Sequence, residues 1–168
     1  DLGYASVCLA SAAANSNTEE DYANKGKNIQ AFLGSEGIGC KDVVLNDGYS
    51  DAPLAKSNIG AAIGWKDISV VESGENKNYK LFAVGVRGIA YEAEWAGNLR
   101  VGSSGDHQGF AEARDSVLGF ILPYIRDHSS AGDNLKIWIA GYSRGGAVCN
   151  LVGGWLSSWL KDSTSIVG

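Results

Sequence analysis

Apolar residues follow two different periods along this chain. Helical spacing is found in four stretches, whereas short continuous apolar runs between them are typical of buried strands. The helical stretches are residues 2–14, 18–34, 109–127 and 148–159. The strand-like runs are residues 43–45, 68–71, 79–86 and 135–140. Thr18 is the predicted N-cap of the second helix, and Pro123 is expected to kink or end the third helix early.

The order of these elements predicts an α/β fold. From residue 79 onward the chain runs strand, helix, strand, helix, an order that favours a right-handed crossover between parallel strands. Residues 74–78 are polar and are expected to form a turn before the central strand. We therefore expect one α/β domain over residues 1–168, with a helical N-terminal segment at residues 1–40.

Charge and composition exclude several classes of protein. The formal net charge of -5 leaves no basic surface for nucleic acid. No apolar run approaches the length of a transmembrane helix. Cys8, Cys40 and Cys149 lack metal-like or redox-like spacing, so neither a disulfide framework nor a zinc site is expected. No other metal or cofactor is expected. The chain begins at Asp1 and has no Met, which indicates processing or trimming and leaves its location open.

Ser143 is the candidate nucleophile. It stands in Gly141-Tyr142-Ser143-Arg144-Gly145, between a predicted strand and a predicted helix. A sharp turn of this kind exposes the serine hydroxyl and needs small residues two positions before and after it. The backbone amide of Arg144, at the start of the helix, is the expected oxyanion donor. The alternative is a tight glycine-rich turn in which Ser143 only caps the helix.

Four segments resemble the class 3 lipase family, in particular lipase-like proteins of Gram-positive bacteria. They are residues 83–88 (AVGVRG), 95–99 (WAGNL), 106–110 (DHQGF) and the Ser143 turn. The resemblance implies a mostly parallel sheet of the α/β-hydrolase type, flanked by helices. It also implies a second oxyanion amide at Ile89, and a lid or pocket containing Tyr91, Trp95 and Leu99. A fixed surface helix is the alternative for this stretch. The chain departs from the family at Ile89, which lacks the usual hydroxyl, and at Arg144, where Leu is commoner. A secreted or cell-surface bacterial protein is slightly favoured.

The catalytic partners of Ser143 are not evident in the sequence. No His follows it, whereas an α/β-hydrolase places its acid and then its histidine after the nucleophile. His107 is expected to be structural and His128 to lie on the surface, far from the serine. We expect the sheet to be truncated after the nucleophile helix, with the base and acid in a missing C-terminal part. A second chain that supplies them, or a loss of hydrolysis, are the alternatives.

The sequence thus predicts a serine-dependent carboxylic ester hydrolase that acts on an acyl ester or lipid through an acyl-enzyme. The competing hypothesis is a lipase-like module that binds an acyl ligand or a protein partner without turnover. A thioesterase or peptidase remains a third possibility, because the turn determines the chemistry and not the acyl group.

Overall fold

The structure, a computed structural model, describes residues 1–14, 26–49, 59–88 and 107–162. Four helices lie in these ranges: α1 (Leu2–Ala13), α2 (Lys27–Gly34), α3 (Gln108–Asp127) and α4 (Arg144–Asp162). Four strands lie there too: β1 (Lys41–Leu45), β2 (Ala61–Glu72), β3 (Glu75–Val86) and β4 (Leu135–Gly141). A short 3-10 turn, Asp47–Tyr49, follows β1.

The strands form one sheet in the order β1-β2-β3-β4. Both β1 with β2 and β2 with β3 pair antiparallel, and only β3 with β4 is parallel. The prediction of a mostly parallel sheet of the α/β-hydrolase type is therefore wrong for the described residues. The order of elements predicts a parallel strand pair with a helix between its strands, and β3 and β4, with α3 between them in the chain, form such a pair.

A tight hairpin explains most of this difference. Ser73 and Gly74 both have positive φ, 53° and 85°, and they join β2 directly to β3. Two consecutive residues with positive φ give a turn whose twist matches that of paired antiparallel strands. Because the turn is so short, pairing continues from Glu72↔Glu75 to Ala61↔Val86. Residues 75–78, expected to be part of a turn, belong to β3.

Helices cover both faces of the sheet. Phe82, Val84 and Val86 of β3 pack with α3 and α4 in one core. The opposite face is lined by small residues, including Ala62, Ala83 and Ala140, and it packs against α1 and α2 in a second core. This face needs small residues because the helices lie close: a Cβ on Gly85 would stand 2.7 Å from Cδ1 of Ile29.

Two helix predictions have different outcomes. Thr18, the expected N-cap of the second helix, lies outside the described residues, and α2 is described from Lys27. The helix α3 continues through Pro123 to Asp127, so the expected early end at proline is wrong. Pro123 is exposed, on the side of the helix away from the core.

Candidate functional site

Ser143 lies at the turn between β4 and α4, at the carboxyl end of the parallel strand pair. Its side chain is exposed and its φ is 53°, a left-handed conformation that is strained for a residue with a Cβ. The Ser143 carbonyl accepts the Ala147 amide at 3.2 Å, so Ser143 is the residue from which the helix starts. The Gly145 amide donates to the Tyr142 carbonyl at 2.9 Å and closes the turn. The hydroxyl is thus held outside the core on a sharp strand-to-helix turn.

Three glycines allow this turn to sit against the sheet. A Cβ on Gly141 would stand 2.7 Å from the Gly145 carbonyl carbon. A Cβ on Gly145 would stand 2.5 Å from the Val86 carbonyl oxygen, and one on Gly88 would overlap the Tyr142 carbonyl oxygen. These distances are too short for any side chain. The glycines two before and two after the serine therefore have the steric role that the sequence assigned to them.

Arg144 begins α4, and the first N–H groups of a helix have no acceptor within the helix. Its guanidinium group is buried, with Nη2 3.5 Å from the Gly109 carbonyl and Cζ 5.9 Å from the centroid of the Phe110 ring. The side chain thus connects the turn to the first residues of α3. The other proposed oxyanion donor, Ile89, and the lid or pocket residues Tyr91, Trp95 and Leu99 lie outside the described residues.

Arg87 is a second buried arginine beside the turn, which sequence reasoning did not single out as a side chain. Nη1 donates to the Gly48 carbonyl at 2.6 Å, and Cζ lies 5.4 Å from the centroid of the Tyr49 ring. Arg87 precedes Gly88, and its own carbonyl oxygen would be 2.7 Å from a Cβ on Gly145. The position of Arg87 at the end of an apolar strand is the one signal in the sequence that its side chain is buried.

The two histidines lie at opposite ends of the sheet. His107 precedes α3, where its carbonyl accepts the Phe110 amide at 2.9 Å and its ring packs edge-on against the Phe110 ring. His128 ends α3, where its Nδ1 is 2.9 Å from the Tyr124 carbonyl and its ring stacks on Tyr124. Because α3 returns to the start of β4, His128 is at the end of the sheet away from Ser143. His128 is therefore too far away to receive a proton from that serine.

Two of the three described thiols, those of Cys149 and Cys40, are poor competitors for the role of nucleophile. Burial raises the pKa of the Cys149 thiol to about 12, so this group is protonated at neutral pH. Burial also raises the pKa of Cys40, despite the opposing charge of Lys66. Ser143, which is exposed at the start of a helix, is better placed than either thiol to meet a substrate.

A cleft of about 840 Å³ lies beside the turn, between α1 and α4. Its wall includes Val7 and Ala10 of α1 and Gly141, Tyr142 and Gly146 of the turn. Ser143 does not line it, so its shape alone does not assign it to the substrate of that serine.

In the described ranges, no three His, Cys, Asp or Glu side chains come together as metal ligands. No helix of these ranges is long and apolar enough to cross a membrane. Comparison of the chain with protein-family models, curated proteins and solved structures finds no match.

Proposed function

We propose that this protein is a serine-dependent carboxylic ester hydrolase of the lipase or esterase type, with Ser143 as its nucleophile. The observation that carries the proposal is the backbone at Ser143. A non-glycine residue with φ of 53° is exposed on a turn that three glycines fit against the sheet. Strain of this kind persists only where the surrounding structure imposes it, and it is concentrated at functional sites.

The chemistry follows from this placement. Oγ of Ser143 attacks the carbonyl carbon of an acyl ester, and its proton passes to a general base. The resulting oxyanion is stabilised by the backbone amides of Arg144 and Ile89. Collapse of this intermediate expels the alcohol, which takes the proton, and leaves an acyl-serine ester. Water then attacks that ester, releases the carboxylic acid and returns the proton to Ser143.

In this proposal neither histidine of the chain is the general base. Of the two histidines in the chain, His128 is at the far end of the sheet, and His107 packs against Phe110 at the start of α3. Tyr91, Trp95 and Leu99 remain the proposed contacts for the acyl chain, which makes an acyl ester or a lipid the substrate class.

A second candidate function is a module that binds an acyl ligand or a protein partner without turnover. Two observations favour it: Ile89 has no hydroxyl to support an oxyanion, and His128 lies far from Ser143. Such a module keeps the strained turn but releases no product.

Hydrolysis of p-nitrophenyl butyrate by the native protein separates the two functions. The hydrolase releases p-nitrophenol, and Ser143→Ala lowers kcat by about 10⁴-fold or more because the nucleophile is lost. Ser157→Ala is the matched control, since Ser157 is also an exposed serine and lies on α4. Binding of the ester without p-nitrophenol release supports the binding module and contradicts the hydrolase.

A further inference from the structure

Among the described residues, the two buried charged side chains are both arginines next to Ser143. Arg87 is 3 % exposed and Arg144 is 4 % exposed. Burying a guanidinium group is costly unless its N–H groups are hydrogen-bonded, so a buried arginine beside a candidate nucleophile calls for a reason. We propose that Arg87 is a positioning residue, whose side chain holds the end of β3 as the support on which the Ser143 turn rests. This proposal builds on the hydrolase function proposed above.

The guanidinium group of Arg87 is tied to the loop that follows β1. Nη1 donates a 2.6 Å hydrogen bond to the Gly48 carbonyl, a contact between residues 39 positions apart in the chain. The group also lies over the Tyr49 ring, with 5.4 Å between Cζ and the ring centroid. A charged donor paired with a carbonyl forms one of the stronger hydrogen bonds in proteins. The side chain is therefore held by both a directional bond and a ring contact.

The loop is itself rigidly held, so it provides a fixed anchor. Asn46 Nδ2 donates to the Ile59 carbonyl at 2.8 Å, while its Oδ1 accepts the amides of Gly48 at 3.1 Å and Ala61 at 2.9 Å. The Tyr49 hydroxyl donates to the Ala13 carbonyl at the end of α1, at 2.8 Å. A Cβ on Gly48 would stand 2.5 Å from the Ile59 carbonyl oxygen, so this segment lies directly against the residues that lead into β2.

The backbone of Arg87 connects this loop to the Ser143 turn. Its amide donates to the Gly60 carbonyl at 2.8 Å, which fixes the chain where it leaves β3. Its carbonyl oxygen faces Gly145, where a Cβ would be 2.7 Å away, and the next residue, Gly88, lies against the Tyr142 carbonyl. Tyr142 and Gly145 are the two ends of the hydrogen bond that closes the turn around Ser143. A displacement of Arg87 therefore moves the support of Ser143 and of the Arg144 amide together.

Two substitutions test the role of the guanidinium group. Arg87→Met fills much of the same volume but donates no hydrogen bond, and Arg87→Lys keeps the charge and one donor. A nucleophile displaced by about 1 Å loses about 100-fold in rate. We expect kcat for p-nitrophenyl butyrate to fall by about 10- to 100-fold in Arg87→Met with KM nearly unchanged, and Arg87→Lys to recover part of the loss.

The matched control is Tyr124→Phe at the other end of the sheet. It removes a side-chain hydrogen bond to a backbone carbonyl as well, the part-buried bond to Asp42 at 2.7 Å. If Arg87→Met acts only by lowering global stability, its effect on kcat is no larger than that of Tyr124→Phe at the same loss of stability. Equal kcat in these two variants therefore overturns the proposal.

Hydrogen exchange gives a readout that does not depend on turnover. The amides of residues 142–146 are expected to exchange at least tenfold faster in Arg87→Met than in the wild-type protein, but not in Tyr124→Phe. Unchanged exchange in this segment overturns the role of Arg87, whatever the activity. If the wild-type protein hydrolyses no ester, the proposed hydrolase function is wrong. Faster exchange confined to residues 142–146 in Arg87→Met then still shows that Arg87 positions the turn.

Discussion

Replacing Gly145 by alanine measures how closely the serine turn is packed on the sheet. Gly145 is in the first turn of α4, where a Cβ would stand 2.5 Å from the Val86 carbonyl oxygen and 2.7 Å from the Arg87 carbonyl oxygen. A relaxed contact between carbon and oxygen is about 3.3 Å or more, so the helix and β3 must separate by roughly 0.8 Å. Both neighbours are backbone atoms of a central strand, which cannot move aside as a flexible side chain can.

A second substitution in the same helix separates the free-energy cost of this overlap from the effect of helix propensity. Gly154→Ala meets no atom within 4 Å, so it shows only the gain of alanine over glycine, up to about 1 kcal/mol. Gly145→Ala adds the overlap, for which overpacking typically costs about 1–3 kcal/mol. Because the overlap is with backbone, we expect the two variants to differ by about 3 kcal/mol in the free energy of unfolding.

Urea denaturation, followed by circular dichroism and tryptophan fluorescence, gives this difference directly. In thermal unfolding the same difference corresponds to a separation of about 6–12 °C between the two midpoints, with Gly154→Ala the more stable. Equal stability of Gly145→Ala and Gly154→Ala would refute the close approach of α4 to β3 on which the site depends.

Three further predictions concern strain, the anchoring loop and a buried thiol. Ser143→Gly is expected to be about 1 kcal/mol more stable than Ser143→Ala in urea denaturation, because glycine relieves the positive φ; an alanine variant of equal stability contradicts the strain. Asn46→Ala should lower the free energy of unfolding by about 2–3 kcal/mol, since three backbone partners lose their hydrogen bonds; a loss under about 0.5 kcal/mol contradicts the anchor. Burial raises the pKa of Cys149 from the ordinary 9.0 to about 12, so the unfolded thiol ionises first. Its contribution to stability is therefore complete below pH 9.0 and is lost as the pH rises to about 12, a loss that Cys149→Ala should not show in urea titrations.

Local patterns predict the part of the site that is local in sequence. The run 135–140, the paired glycines around Ser143 and the helical spacing beyond it are contiguous, so each constrains the next. The strand, turn and helix around Ser143 were therefore predictable.

Contacts between distant residues were not predictable in this way. The bond from Arg87 to the Gly48 carbonyl joins a strand end to a loop 39 residues earlier, and no local period indicates it. The sheet prediction failed for a related reason. Ser73-Gly74 is typical of a hairpin turn, but the polar residues 75–78 that follow are typical of a loop. In the structure these residues belong to β3, in the part of the strand that is exposed.

Site-mapped labelling by a fluorophosphonate is the most direct test of Ser143 as the nucleophile. This reagent phosphonylates serines that act as nucleophiles, and peptide mass spectrometry then identifies the modified residue. The native protein is expected to carry one phosphonyl group on Ser143, whereas Ser143→Ala is expected to carry none and Ser157→Ala to be labelled normally. A native protein that is folded but unlabelled, or one labelled equally at other serines, would contradict the assignment of Ser143 as the nucleophile.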